Sequence, residues 1–231
     1  MKKLISSLIL LLSPTLSFSA VTWKDVHFHN GILYYNTGKE YSGKVAQYYP
    51  DSGKLEYEMS YKKGILEGTA KKYYGNGKLS SKYIYKNGIR EGSATNYHEN
   101  GKLMSEFIYS KNTLNGSIKN YYESGRLMSV FTYRNNTLEG PAKVYYENRK
   151  VKAELTYVND SPQGVARHYH ENGKLKLEFT YVDSLKEGYA KVYDNKGRLW
   201  GSVFYENGNP VNGNYVDGKA LTPAELEEFV E

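Results

Sequence analysis

The feature that most constrains the fold of this chain is a short sequence that returns at a fixed interval. Its cleanest copy, residues 92–109, reads Gly-Ser-Ala-Thr-Asn-Tyr-His-Glu-Asn-Gly-Lys-Leu-Met-Ser-Glu-Phe-Ile-Tyr. A uniform repeat of this length indicates one array of supersecondary units rather than two globular domains. Three ladders keep a spacing of 24, with 25 at the two ends of the first: Gly43, Gly68, Gly92, Gly116, Gly140, Gly164, Gly188 and Gly213; Gly53, Gly77, Gly101, Gly125, Arg149, Gly173 and Gly197; Tyr61, Tyr85, Tyr109, Tyr133, Tyr157, Tyr181 and Tyr205.

Within each repeat the hydrophobic pattern is that of β-strands. Leu103, Ser105, Phe107 and Tyr109 alternate with mixed residues, and period two with aromatics indicates a strand that has one better-buried face. Residues 94–98 supply the partner strand, because Asn-Gly between two apolar runs is a strong hairpin signal. The next turn is rich in Gly and Asn as well. We therefore predict an all-β fold, an elongated antiparallel meander of repeated β-hairpins.

Two registers are compatible with the first turn. A two-residue turn sets Tyr74 opposite Leu79, whereas a longer turn with a bulge sets Tyr97 opposite Leu103, and one slip exchanges the two faces. We favour the second register, because the first Tyr of each pair is invariant while the following position varies and becomes Asp194 in one repeat. This register places four lysines on the face of the invariant Tyr, with stems that can lie over its ring: Lys71, Lys119, Lys143 and Lys191.

Arg149 occupies a turn position that is Gly in the other repeats. If this position requires a positive φ, a non-glycine residue costs about 1 kcal/mol. We therefore expect the change Arg149→Gly to raise thermal stability.

The chain divides into four segments. Residues 1–20 have the basic start, apolar run and small-residue end of a secretory signal peptide, residues 21–42 form an atypical N-terminal capping repeat, residues 43–212 form a seven-repeat hairpin array, and residues 213–231 form a truncated repeat with a C-terminal helix cap. The leader predicts an exported protein, whether periplasmic, cell-surface or secreted, with no transmembrane segment after cleavage.

The C-terminal helix has its own signals. Thr222 and Glu225 form a capping box, Pro223 stands at the first helical position, and Leu221 with Leu226 forms a hydrophobic staple. We expect this short helix to cover the last hairpin and to shield its edge from pairing with another chain. Its apolar stripe consists of Leu226, Phe229 and Val230.

Composition and motifs argue against catalysis. The chain has no Cys, and its formal net charge of +6 comes from interleaved rather than clustered charges, so we expect neither a disulfide nor a nucleic-acid partner. No Gly-x-Ser-x-Gly, Walker A or His-Glu-x-x-His sequence occurs. We predict that the protein is not an enzyme and has no catalytic residue, cofactor or metal site. Two histidine pairs share strand faces but lack a third ligand nearby in sequence: His27 with His29, and His168 with His170.

Tyrosine is the outstanding residue, with 25 copies against 7 Phe and 2 Trp. We interpret the invariant Tyr as structural, since cross-strand aromatics stabilise a thin sheet. The variable position that follows it is the candidate contact for a partner, because an exposed, rigid and amphipathic ring suits protein or glycan binding. The candidate partner-binding residues are Tyr49, Tyr74, Tyr122 and Tyr146.

The sequence resembles the MORN-repeat variant family, which includes exported bacterial proteins and YwqK-family antitoxin-like proteins. The matching motifs are Tyr-Tyr-x-Asn-Gly-Lys-Leu at 73–79 and Tyr-x-x-Gly-x-x-x-Gly at 85–92. The resemblance extends from about 31 to 218 and implies a sheet of hairpins that serves as a scaffold or binding surface. The antitoxin label implies a cytoplasmic toxin as partner, against which the leader argues.

These observations predict an exported, non-catalytic repeat protein that binds a protein partner at the cell envelope. Two alternatives stay open. One is a module that binds cell-wall glycan by Tyr stacking, and the other is an antitoxin-like protein that neutralises a toxin.

Overall fold

The computed structural model describes residues 21–227. The predicted signal peptide, 1–20, and the last four residues, including Phe229 and Val230 of the predicted stripe, lie outside the described residues. The strands are β1 (Val21–Thr22), β2 (Val26–His29), β3 (Ile32–Tyr35), β4 (Gly43–Tyr48), β5 (Leu55–Lys62), β6 (Ile65–Tyr73), β7 (Leu79–Lys86), β8 (Ile89–Arg90), β9 (Gly92–Tyr97), β10 (Leu103–Ser110), β11 (Thr113–Leu114), β12 (Gly116–Tyr121), β13 (Leu127–Arg134), β14 (Thr137–Leu138), β15 (Gly140–Tyr145), β16 (Val151–Val158), β17 (Ser161–Tyr169), β18 (Leu175–Val182), β19 (Leu185–Tyr193), β20 (Leu199–Glu206) and β21 (Asn209–Tyr215), followed by helix α1 (Pro223–Glu227).

From β4 to β21 the chain is an antiparallel meander, which confirms the predicted array of hairpins. The short strands β8, β11 and β14 pair with the same strands as β9, β12 and β15, which follow them. The favoured register is also confirmed, because Tyr97 lies opposite Leu103 and Asn96 lies opposite Ser105. Met104 is therefore the extra residue of a β-bulge. The alternative register, with Tyr74 opposite Leu79, is wrong, since Leu79 pairs with Tyr73 in the equivalent hairpin.

Two kinds of turn alternate along the sheet. One end of the strands carries the turn inside each repeat, and we call it the first-turn edge. There the N–H of Gly101 donates to the carbonyl of His98, and Gly101 has a φ of +90°. Arg149 has a φ of +71° at the equivalent position, as its glycine neighbours in the ladder suggested. The other end of the strands, the second-turn edge, carries the turn that leads from one repeat to the next strand. Here two residues in the left-handed region form a tight turn whose twist matches that of the strands. Lys111 and Asn112, with φ of +49° and +66°, are an example.

The register gives the sheet two unlike faces. Phe107 lies opposite Ala94, and Tyr109 lies opposite Gly92, so each large ring packs beside a small residue of the partner strand. The Gly and Tyr ladders of the sequence are thus cross-strand partners. We call this side the aromatic face. The opposite side, which carries Thr95 and Glu106, is the charged face.

Both ends of the aromatic face are covered by the chain's own caps. At the N-terminal end, the β2–β3 hairpin and Tyr41 bury Tyr61 in a cluster with Leu33 and Val45. At the C-terminal end, Leu221 joins a second buried cluster, with Leu226 of α1 packed against it. The predicted capping box is present: the backbone N–H of Thr222 donates to the Glu225 carboxylate at 2.7 Å, and the N–H of Glu225 donates to the Thr222 hydroxyl at 3.3 Å.

The two caps use the same local structure as the repeats. The N–H of Tyr35 donates to the carbonyl of Lys39, as the N–H of Tyr74 does to Lys78 inside the array and the N–H of Tyr215 does to Lys219 at the far end. A truncated repeat therefore closes the sheet on each side. Between residues 21 and 227 there is no helix long and apolar enough to cross a membrane.

Candidate partner-binding face

The middle of the aromatic face carries a strip of large rings. The centroids of Tyr83 and Phe107 lie 6.3 Å apart, and those of Phe107 and Tyr109 lie 5.6 Å apart with near-perpendicular planes, which is a favourable edge-to-face geometry. We call the following residues the central strip: Tyr83, Phe107, Tyr109, Phe131 and Tyr133.

The central strip is less deeply buried than the two ends of the same face, which the caps cover. Tyr61 and Tyr205, at the ends, are 8% and 1% exposed, whereas every residue of the central strip is only partly buried. Neither of the two buried clusters formed by the described residues includes a residue of the strip. Sheet faces with uncovered aromatic side chains are characteristic of interaction surfaces.

One cation lies within the strip. The guanidinium of Arg90 lies 4.2 Å from the centroid of the Tyr109 ring, and its Nη1 donates to the Tyr109 hydroxyl at 2.9 Å. Partial burial, together with the neighbouring Tyr109, raises the pKa of Tyr83, and the Arg90 charge opposes that shift. The strip is therefore a neutral aromatic surface with one fixed positive charge.

The four candidate tyrosines hold adjacent repeats together. The hydroxyl of Tyr122 donates to the backbone carbonyl of Tyr145 in the next repeat at 2.6 Å. Tyr49, Tyr74 and Tyr146 donate in the same way at 2.7, 2.5 and 2.7 Å. All four rings are partly buried at the first-turn edge. Their exposed parts are open to a partner, but their hydroxyls already serve the contact between repeats.

Histidine replaces tyrosine in this contact. Nε2 of His98 lies 2.9 Å from the Tyr121 carbonyl, and Nε2 of His170 lies 3.0 Å from the Tyr193 carbonyl. Since a carbonyl only accepts, Nε2 carries the proton in both. Asp194 cannot donate, and it stands in the last regular repeat, where it accepts from the N–H groups of its own turn. The alternation of Tyr with His was the signal for this role in the sequence.

Other signature residues also join neighbouring repeats. At the first-turn edge, the side-chain amide of Asn100 donates to the carbonyl of Glu123, and the ammonium of Lys102 donates to the carbonyl of Ser124. The Asn-Gly-Lys sequence therefore ties each turn to the next one. A sequence pattern that recurs along the array thus encodes stacking of the repeats.

The charged face carries ion pairs between strands. Lys119 Nζ lies 2.9 Å from Glu106, and the Tyr121 hydroxyl donates to the same carboxylate at 2.7 Å. These two contacts lower the pKa of Glu106. Partial burial and the contact with Glu106 raise the pKa of Tyr121 to about 12. Tyr169 and Glu154 repeat the arrangement two units further on.

No group of three or more metal-ligating side chains lies together among residues 21–227. His27 contacts Asn36, and His29 contacts Asn30, each at 3.3 Å. The histidine pairs of the sequence are thus accounted for by local contacts and by the contact between repeats, apart from His168, which lies beside the Phe179 ring on the aromatic face.

Comparison with known families finds the repeat described as MORN repeat variant in six segments that together span more than half of the chain: 42–63, 66–87, 90–111, 114–135, 138–159 and 162–183. No match is found among curated proteins.

Solved structures with some likeness include TarM and an S. aureus TarM mutant in complex with Fondaparinux, alpha-GlcNAc-glycerol and UDP. Their identity to this chain is 15% and 14%, and each alignment covers 42% of this chain and 19% of the other. The TM-score of 0.30 is too low for an argument about fold or function.

Proposed function

Because the chain belongs to the MORN repeat variant family, we propose that it is an exported, non-catalytic scaffold that binds a protein partner through the central strip of its aromatic face. The observation that carries the proposal is that burial of the aromatic residues differs along this face. Its two ends are buried by caps from the same chain, while the aromatic residues between them are only partly buried.

The composition of the strip suits a protein partner. Tyr and Arg are the residues that dominate binding energy at protein interfaces, and the strip combines Tyr83 and Tyr109 with Arg90. The rings are held by one another and by the sheet, so little side-chain entropy is lost when a partner packs on them. An apolar segment of a partner protein is the occupant that this surface fits.

Export is part of the proposal. Val21, the first residue after the predicted leader, already pairs with Val45 in the parallel β1–β4 ladder. The first described strand thus begins at the residue that follows the predicted leader. N-terminal sequencing of the protein from the periplasm or medium of the native host should give a mature chain beginning at Ala20 or Val21. An intact Met1 on all of the protein would contradict export.

The binding test compares two neighbouring residues that lie on opposite faces. Phe107 is in the central strip, while Ile108 is 52% exposed on the charged face. Each is replaced in turn by p-benzoylphenylalanine, and cells of the native host are irradiated. We expect a discrete cross-linked protein from position 107 and from the equivalent Phe131, but not from position 108.

Equal cross-linking from the two faces, or no discrete product from either strip position, would overturn the proposal. Cosedimentation with purified wall material that is lost on Phe107→Ser would instead favour the glycan alternative. An antitoxin-like protein would yield a cross-linked partner whose expression alone stops growth, and this outcome would narrow the class of partner within the same scaffold role.

A further inference from the structure

A concave site lies on the aromatic face, between the central strip and the C-terminal cap. It is a groove of about 590 Å³, a size typical of small-molecule sites. Its walls are largely apolar and aromatic, with Phe179, Tyr181 and Trp200 among them. The polar groups at its rim are His168, Lys176, Lys186 and Asp194.

Lys186 is one of two cations at a repeat position that is otherwise apolar, the other being Arg90 of the central strip. The same position in five other units is apolar: Leu66, Leu114, Leu138, Pro162 and Pro210. In the groove, Lys186 Nζ lies 5.4 Å from the Phe179 ring centroid and 5.1 Å from the Tyr205 ring centroid. Burial lowers the pKa of Lys186. A cation thus stands beside two aromatic rings where most repeats carry an apolar residue.

The charges around the groove are unbalanced. Asp194 is the one carboxylate among the described residues that line it, and Arg198 binds this carboxylate at 2.7 and 2.8 Å. Desolvation lowers the pKa of His168, and the positive charges of Lys186, Lys176 and Lys152 lower it further. Among the described residues that line the groove, the two lysines thus outnumber the one carboxylate, which is already paired with Arg198.

We propose that this groove binds a small organic anion with a flat apolar body, such as an aromatic carboxylate or sulfonate. The apolar body stacks on the walls formed by Phe179, Tyr181 and Trp200, and the anionic group faces Lys186 and Lys176. Charge-assisted contacts are stronger in such a partly desolvated site than at the open surface. The site is independent of partner binding at the central strip.

The test uses two probes that share ring systems and differ in charge. 8-Anilinonaphthalene-1-sulfonate is anionic, and N-phenyl-1-naphthylamine is its neutral counterpart. The chain has two tryptophans, so a Trp23→Phe background leaves Trp200, in the groove, as the one tryptophan donor for energy transfer. We expect the anionic probe to bind with a stoichiometry of one and to quench Trp200, and the neutral probe to bind at least about tenfold more weakly.

Lys186→Leu is the informative variant, because three other repeats carry leucine at this position and we therefore expect the variant to fold. We expect this variant to bind the anionic probe about tenfold more weakly and to bind the neutral probe with unchanged affinity. Lys191→Leu is the matched control, since Lys191 lies on the same strand but pairs with Glu178 on the charged face.

Three results would overturn the proposal. They are the absence of energy transfer from Trp200, equal affinity for the two probes, and an equal loss of affinity for the anionic probe in Lys186→Leu and Lys191→Leu. Loss of probe binding on Phe107→Ser, with Lys186 intact, would also overturn it, because the probe would then be on the central strip. Failure of cross-linking at Phe107 would leave this test unaffected, so the two proposals fail separately.

Discussion

The carboxylate of Glu91 accepts a hydrogen bond from the backbone N–H of Lys111 at 2.7 Å, 20 residues further along the chain. Lys111 belongs to the second turn of the next repeat, so the contact fixes one hairpin against the next. Five repeats share this contact, with N···O distances from 2.6 to 3.1 Å. The pairs are Glu67 with Asn87, Glu91 with Lys111, Asn115 with Asn135, Glu139 with Asn159, and Glu187 with Asn207.

We expect Glu91→Ala to lower the free energy of unfolding by about 1 kcal/mol, since it removes the acceptor of this hydrogen bond. Glu91→Gln retains an acceptor oxygen and should lose less. Glu123→Ala is the control, because the described contact of Glu123 is made by its backbone carbonyl. Urea unfolding followed by circular dichroism measures all three, and an equal effect of Glu91→Ala and Glu123→Ala would contradict the role of this contact.

Arg149 adopts a φ of +71° at a position where Gly101 and Gly125 have φ of +90° and +85°. We expect Arg149→Gly to raise the free energy of unfolding by about 1 kcal/mol, because the strain of a side chain in this region is relieved. Gly125→Arg is the converse control and should be destabilising. A lower melting temperature for Arg149→Gly would show that the side chain of Arg149 contributes more than its backbone costs.

Tyr121 and Tyr169 should make the sheet sensitive to alkali. Their pKa values are raised from 10.0 to about 12 by partial burial and by the carboxylates of Glu106 and Glu154. Since the folded state holds these protons more tightly than the unfolded state, their stabilisation is complete below pH 10 and is lost as the pH rises to about 12.

Absorbance of tyrosinate during a titration should therefore show a late group of tyrosines that ionises together with the loss of the β-sheet signal. The double variant Tyr121→Phe and Tyr169→Phe should reduce the dependence of stability on pH between 10 and 12. An unchanged pH dependence in this variant would contradict the assignment.

The repeat length itself can be tested by deletion. Removal of residues 92–115 takes out one whole unit of 24 and joins Glu91 to Gly116 with all later contacts in register. We expect a folded protein whose sheet is shorter by two strands, about 10 Å. Removal of residues 93–115 is the control, because a shift of one residue exchanges the two faces of a strand. Equal stability of the two deletions would contradict a strict register.

The sequence was sufficient to predict the meander, the bulged register and the capping helix, because each depends on local patterns. Alternation in Leu103, Ser105 and Phe107 and the turn residues specify a hairpin within one repeat. The role of Tyr122 could not be read in this way. Its acceptor belongs to a residue 23 positions away, and a single copy of the repeat does not distinguish a tyrosine that contacts the next repeat from an exposed one.

The uncovered middle of the aromatic face was also missed by sequence reasoning. Tyr61, Tyr109 and Tyr205 occupy equivalent positions in the repeat, and their surroundings differ only because truncated repeats fold back over the two ends. Residues at equivalent positions of the repeat thus differ in solvent exposure, because they lie at different distances from the caps. Only the three-dimensional arrangement reveals this difference.

The signature residues join the repeats, and we propose that the aromatic face does the binding. The most direct measurement compares two variants in which Tyr49, Tyr74, Tyr122 and Tyr146 are all replaced, either by Phe or by His. Unfolding is measured at pH 8 alongside cross-linking from position 107. The account predicts that the Phe variant loses about 1 kcal/mol per contact, that the His variant stays close to wild type, as His98 and His170 do, and that folded molecules of both still cross-link. A fully stable Phe variant that has lost its cross-linked partner would contradict it, and would return these four tyrosines to the binding site.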